Sequence, residues 1–239
     1  MICAIGDIHG EYDKLLSLLE KLGDLSQYSN IVFLGDYIDR GNNSKAVIKK
    51  LKELKEKYNI VIIKGNHEDM MIHAIGGNSD MYDCWLANGG VECIKSYKKD
   101  WHELEHIPNN LIEDAIWLNE NSVLYFVTEY YNTKLFFSHT GVSANFIKTY
   151  NTNKEELEKA VKQYEFYFLW NSSNDSIDIP DNCIVIHGHE ITNKPWLRMY
   201  KNNRGKIGID TGSFRKKDCK LTSIVLSFKN KIKYKFITN

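Results

Sequence analysis

The chain has 239 residues, with 31 Lys plus Arg balanced by 31 Asp plus Glu, for a formal charge of zero. That balance excludes a polybasic nucleic-acid coat and a highly charged disordered chain. Hydrophobic residues make up 43% and aromatics 12%, enough to bury a sizeable core.

Ile2-Cys3-Ala4-Ile5 is a short apolar run that stops at Gly6, and Leu15, Leu16, Leu18, Leu19 and Leu22 then recur at helical spacing. The opening therefore predicts strand, loop, helix. The order repeats as a strand over Ile31–Leu34, a loop at 35–43 and a helix through Val47, Ile48, Leu51 and Leu54. It repeats again as a strand over Ile60–Ile63, a loop at 64–67 and a helix with Met70 and Met71. Strands alternating with helices predict an α/β architecture. The stretch 80–118, with Trp85, Leu86, Ile94, Leu104 and Leu111, reads as mostly helical, and about 77–120 as a helical cap inserted into a single domain over 1–239.

The second half predicts a hairpin from Val123–Val127 and Lys134–Phe137, then a helix over 154–169. Strands follow near 183–187, 206–210, 220–228 and 231–237, largely antiparallel, so a mixed α/β (α+β) sheet system is expected. From Lys194 to Asn239 the chain carries 13 Lys and Arg against two acids, Asp210 and Asp218. Lys229, Lys231, Lys233 and Lys235 alternate, so they share one side of the last strand. We read them as a solvated face that guards a sheet edge rather than as a steering field.

Five cysteines, Cys3, Cys84, Cys93, Cys183 and Cys219, make no C-x-x-C pair, which predicts reduced thiols. The first residues lack the basic and apolar regions of a signal peptide, and no apolar run approaches the ~20 residues of a membrane span. A cytoplasmic protein with no membrane partner is expected.

Three strand ends stop at a glycine followed by ligand-type residues: Gly6-Asp7-Ile8-His9-Gly10, Gly35-Asp36-Tyr37-Ile38-Asp39-Arg40-Gly41 and Gly65-Asn66-His67-Glu68. Two more follow, Ser138-His139-Thr140-Gly141 and His187-Gly188-His189-Glu190. Any one of these is an ordinary turn or a buried histidine; five in one chain can converge, because sites in α/β sheets form beyond the carboxyl ends of strands. Carboxylate, imidazole and amide oxygen without thiolate favour Mn, Fe, Zn or Mg. The donors exceed what one tetrahedral site needs, which points to two ions, with a carboxylate such as Asp36 able to bridge them. There is no Walker-type or G-x-G-x-x-G phosphate loop.

In that order, Gly-Asp-x-His-Gly, Gly-Asp-x-x-Asp-Arg-Gly and Gly-Asn-His-Glu resemble the calcineurin-like metallophosphoesterases, and within them the compact serine/threonine phosphatases of the phosphoprotein phosphatase branch. The similarity continues through Trp85-Leu86-Ala87-Asn88-Gly89-Gly90, Trp170-Asn171, Gly188-His189 and Ile209-Asp210-Thr211-Gly212. The resemblance implies a four-layer α/β/β/α sandwich with a dinuclear metal site at the strand ends. It implies that Asp7, His9 and Asp36 hold one divalent ion, and that Asp36 bridges to a second held by Asn66, His139 and His189. Mn is the first expectation, with Fe or Zn suiting the same ligands. His187 falls one place before the motif glycine and is read as a strand residue. A metal-bridging hydroxide would attack phosphorus, His67 would protonate the leaving alkoxide, Asp39 would orient His67, and Arg40, Asn66 and Lys64 would hold phosphate.

Two positions depart from the family. Lys64 stands where an arginine precedes Gly-Asn-His-Glu, and Ser172 stands where one follows Trp-Asn. Lysine keeps the charge and loses the planar fork. Only Arg40, Arg198, Arg204 and Arg215 exist, so the phosphate clamp reads as thin. Hydrolysis of a phosphoprotein or small phosphoester is the first expectation, without specific nucleic-acid binding. Hydrolysis of a dinucleoside polyphosphate or nucleotide is the second, disfavoured by Asp39 and Glu68, and an idle metal-binding scaffold the third.

Overall fold

The computed structural model describes residues 1–102, 106–150, 154–171, 179–229 and 231–239. Ser172, and with it the family's second arginine position, lies outside the described residues, as does Leu104. One sheet contains β1 (Ile2–Ile5), β2 (Asn30–Phe33), β3 (Ile60–Ile63), β4 (Ser122–Val123), β10 (Thr222–Phe228) and β11 (Ile232–Thr238), in the order β11-β10-β1-β2-β3-β4. β1 to β4 run parallel, and β10 and β11 join antiparallel. The other contains β5 (Tyr125–Tyr130), β6 (Thr133–Ser138), β7 (Cys183–His187), β8 (Trp196–Tyr200) and β9 (Arg204–Gly208), in the order β5-β6-β7-β9-β8. Here β6, β7 and β9 are parallel and the outer strands antiparallel.

Strand alternation builds the layers. Ile2, Ala4, Val32, Leu34 and Ile63 of the first sheet meet Leu135, Phe137, Ile184 and Ile186 of the second in an inter-sheet core. Cys3, Ile5, Ile31 and Phe33 point the other way. They pack under α1 (Tyr12–Leu22), α2 (Ser44–Lys57), α3 (Asn66–Ile75), α4 (Ser79–Trp85), α5 (Val91–Tyr97) and α6 (Asn109–Asn121). On the far side, Phe136, Cys183 and Val185 pack with α7 (Ala144–Thr149) and α8 (Lys154–Trp170). The result is the four-layer α/β/β/α sandwich. Burial on both faces explains why β1 to β3 are unbroken apolar runs.

The stretch 80–118 is mostly helical, in α4, α5 and most of α6. A kinked turn over Leu86–Gly90, with Gly89 at φ 106° and ψ 12°, separates α4 from α5. Lys98, which is extended, caps α5, and α6 starts after Pro108, whose ring suits a helix start and not an interior. Two strands escaped the periodicity: β4 has two residues, and β8 is an outer strand that is half-exposed or exposed throughout.

The basic C-terminal fifth divides in two. Lys233 and Lys235 are exposed on β11, an edge strand, and Lys231 is exposed just before it, as expected of lysines that guard against pairing. Arg215, Lys216 and Lys217 are exposed in the loop before β10. That loop is tied down by Lys14, whose ammonium donates to the carbonyls of Ser213, Lys216 and Cys219.

Candidate metal centre

Five loops leave the carboxyl ends of β1, β2, β3, β6 and β7 and meet where the two sheets adjoin. Asp7 and His9 follow β1; Asp36, Asp39 and Arg40 follow β2; Asn66 and His67 open α3 directly after β3. His139 follows β6 and His189 follows β7. Hydrogen bonds between loops set their positions. The Ile8 and His9 amides donate to the Asp36 carbonyl at 3.0 and 2.9 Å, and the His189 amide donates to Asp7 Oδ2 at 3.0 Å. His9, Asp36, Asp39, Arg40 and His189 all have φ between 47° and 71°. Such left-handed conformations persist in non-glycine residues only where the surroundings hold them. Gly188 has no room for a side chain, since a Cβ there would lie 2.0 Å from Asp7 Oδ1.

Asp36 is the centre of the cluster. Its Oδ2 lies 3.4 Å from His9 Nε2 and 3.9 Å from His67 Nε2, and its Oδ1 lies 3.3 Å from His139 Nε2. Donor atoms of His9, Asp36 and His67 fall within 4.8 Å of one another, as do those of Asp36, His139 and His189. Two potential ion sites therefore share one carboxylate. Asn66 Oδ1 joins the second group, 2.9 Å from His139 Nε2, and His189 Nδ1 is 3.1 Å from the same nitrogen.

The chemistry of these donors fits a cation. His139 Nδ1 donates to the Leu34 carbonyl at 2.8 Å and His9 Nδ1 to that of Ile38 at 3.0 Å. The neutral His139 ring then turns its Nε2 lone pair toward Asp36, an acceptor facing an acceptor, while His9 Nε2 faces Asp36 with the Arg40 guanidinium beside it. Asp7 Oδ1 is buried with no hydrogen-bond partner. Burial lowers the His9, His139 and His189 imidazoles, the last to about 4, which keeps them in the neutral, ligating form. Burial would raise the Asp36 carboxyl, but His139, His67, His9 and His189 outweigh it and hold it well below the usual range. Burial, then the charges of Asp210 and Asp36, push the Asp7 carboxyl well up. A divalent ion would relieve that repulsion.

Beside the cluster, His67 Nδ1 lies 2.6 Å from Asp39 Oδ2. Burial pulls the His67 ring down, but the Asp36 charge and the Asp39 hydrogen bond outweigh it, so its affinity for a proton is raised. Arg40 Nη1 is 3.0 Å from His9 Nε2, and its guanidinium lies 4.4 Å from the centre of the Phe214 ring. Lys64 is turned elsewhere: its ammonium donates to Asn119 on α6 at 3.1 Å. His187 packs edge-on against Trp196 at 5.3 Å.

Phe214 and Glu68 also shape the site. Phe214 meets His9 edge-on at 4.7 Å as well as carrying Arg40. Glu68, fully buried, accepts the amides of Asp36, Tyr37 and Gly65 at 2.9, 2.8 and 3.0 Å, locking the β2 loop to α3. Its place beside Asn66-His67 was the available signal; Phe214 offered none. Glu68→Ala leaves three buried amides unpaired and should cost on the order of 3 kcal/mol, read by urea denaturation. A loss under about 1 kcal/mol would mean that water replaces the carboxylate.

A mixed-sheet sandwich with buried aspartates and imidazoles at the strand ends presents the donors of a metal centre. Residues 1–212 match the calcineurin-like phosphoesterases, and the chain belongs to that family. An alignment of 116 positions, covering 44% of the chain, is 34% identical to the serine/threonine-protein phosphatase BSL2 of Arabidopsis thaliana. The alignment covers 10% of the length of this curated relative. Among solved structures, one described as a diadenosine tetraphosphatase superposes with a TM-score of 0.63 at 15% identity, covering 99% of this chain and 92% of that one. A protein serine/threonine phosphatase from Saccharomyces cerevisiae, similar to human PP5, superposes with a TM-score of 0.55 at 15% identity, covering 99% and 78%. At such identities these two likenesses speak for the fold.

Proposed function

We propose that the chain, taken as one domain over 1–239, is a two-metal phosphomonoesterase that acts on phosphoserine or phosphothreonine in proteins. The observation that carries this reading is the 2.6 Å contact of His67 with Asp39, set beside the Asp36 cluster. An alkyl phosphate expels a strongly basic alkoxide and benefits most from a proton donor, whereas an anhydride expels a weakly basic phosphate. A buried dyad that raises the proton affinity of an imidazole suits the ester.

Asp7, His9 and Asp36 would hold one ion, and Asp36, Asn66, His139 and His189 the other, with Mn, Fe and Zn all suited to the donors. When bound, the ions supply Lewis-acid charge at the phosphoryl oxygens and acidify a water. His67 Nε2 gives its proton to the leaving oxygen, and Asp39 holds the Nδ1–H so that the ring keeps the required orientation. Arg40 rests on Phe214 with its N–H edges available for two phosphate oxygens. With Lys64 engaged by Asn119, Arg40 carries more of this binding than the sequence suggested. The exposed Arg215, Lys216 and Lys217, next to Phe214, favour an anionic substrate. The five cysteines, none in a disulfide, support a cytoplasmic setting.

The test is a panel of p-nitrophenyl phosphate, a phosphoserine peptide and a dinucleoside tetraphosphate, assayed with manganese-loaded protein. The expected kcat/KM on the peptide exceeds that on the tetraphosphate by about tenfold or more. The reverse order would assign the chain to polyphosphate hydrolysis. No turnover on any substrate at full metal occupancy would leave a scaffold.

A further inference from the structure

The segment joining α4 to α5 touches the loop that supplies Asp39 and Arg40 at two points. We propose that Trp85 and the kinked turn Leu86–Gly90 form a clamp that positions Asp39, and through it the His67 ring, for proton donation, and that holds Arg40 at the phosphate. The proposal rests on the phosphatase reading above.

The first point is a side chain. Trp85 is fully buried, and its Nε1–H is directed at both oxygens of Asp39, at 3.0 and 3.1 Å. A single donor shared by two oxygens fixes the plane of the carboxylate, and Asp39 Oδ2 in turn meets His67 Nδ1. The second point is backbone. The Gly89 carbonyl accepts the Arg40 amide at 3.2 Å. Gly89 has φ +106°, and a Cβ there would lie 2.7 Å from Arg40 N and 2.9 Å from its Cγ. At Gly90 a Cβ would lie 2.7 Å from the Trp85 ring. The glycine pair therefore lets one kinked turn press on Arg40 while packing under the indole that holds Asp39.

The helical run is kinked at Gly89, whose backbone is left-handed (φ 106°, ψ 12°), so the glycine is needed where the chain meets Arg40. Asp39 and Arg40 both adopt left-handed backbone, at φ 71° and 64°, so both need holding from outside. Packing alone would ask only for a large ring at position 85. The N–H matters because it sets the group that sets the proton donor. Trp85 is thus a positioning residue, two contacts removed from the substrate.

Trp85→Phe keeps an aromatic ring, smaller than the indole, and deletes the N–H. On the phosphoserine peptide, whose alkoxide needs a proton, kcat is expected to fall about 10–100-fold. On p-nitrophenyl phosphate, whose leaving phenolate needs none, it should change by less than about threefold. Gly89→Ala pushes on Arg40 and should raise KM on both substrates by about tenfold with kcat nearly kept. Equal losses on both substrates in Trp85→Phe, or no loss on either, would overturn the clamp. If Trp85→Phe does not fold, Gly89→Ala decides, and an unchanged KM overturns the proposal.

A reading independent of turnover comes from proton NMR of the magnesium-loaded protein. The His67 Nδ1 proton, shared with Asp39, should resonate far downfield, and Trp85→Phe should move it. An unmoved resonance refutes the clamp. Wild-type protein inert on both substrates refutes the phosphatase reading instead, and the NMR comparison then judges the clamp by itself.

Discussion

His67→Asn is expected to lower kcat on a phosphoserine peptide by about 10²–10⁴-fold, the usual contribution of a general acid. Metal content, read by elemental analysis, should stay near that of the wild type. The two readouts separate two roles the geometry allows. His67 Nε2 lies within reach of the His9 and Asp36 donors, as a ligand would. Its Nδ1 lies 2.6 Å from Asp39, as the proton donor of a dyad would. The Asp39 contact and the raised proton affinity both favour the second role, since a ligating nitrogen must be free of its proton. If His67→Asn loses an ion along with activity, the residue is a ligand. Normal turnover would remove it from the chemistry.

Asp36→Asn should have the largest effect on metal binding, because both donor groups contain this residue. Loss of its charge should empty both sites together, whereas His9→Ala or His189→Ala should spare the opposite site. Wild-type protein gains about 2.7 kcal/mol of stability at a metal concentration 100 times Kd, seen as a rise in Tm. Asp36→Asn should lose most of that rise and nearly all hydrolysis. The fold should survive without metal, since the amide oxygen of asparagine can still accept the His67 N–H that reaches Asp36 Oδ1 at 3.2 Å. Retention of one tightly bound ion would show that the sites do not share this carboxylate.

The parts of the fold that were legible are those with a one-dimensional cause. β1 to β3 are apolar on both faces because both faces are buried, so they stand out as runs. The amphipathic α1 and α2 follow helical spacing for the same kind of reason. β8 did not stand out: an outer strand whose residues are half-exposed or exposed has no strict alternation to read. The stretch 80–118 was legible as mostly helical because its apolar residues recur at helical spacing in α4, α5 and α6, and Pro108 marks where α6 begins.

By itself the sequence determined which donor types lie beside which strand ends. Short loops with aspartate, histidine and asparagine after apolar runs leave those side chains little choice of location. Only the tertiary structure decided that Lys64 turns to Asn119, and that Trp85 and Phe214 brace Asp39 and Arg40. Each of these depends on contacts between segments far apart in the chain, across two sheets and a layer of helices. A local pattern records which face of an element is apolar. It does not record which remote side chain that face will bring within 3 Å of a carboxylate.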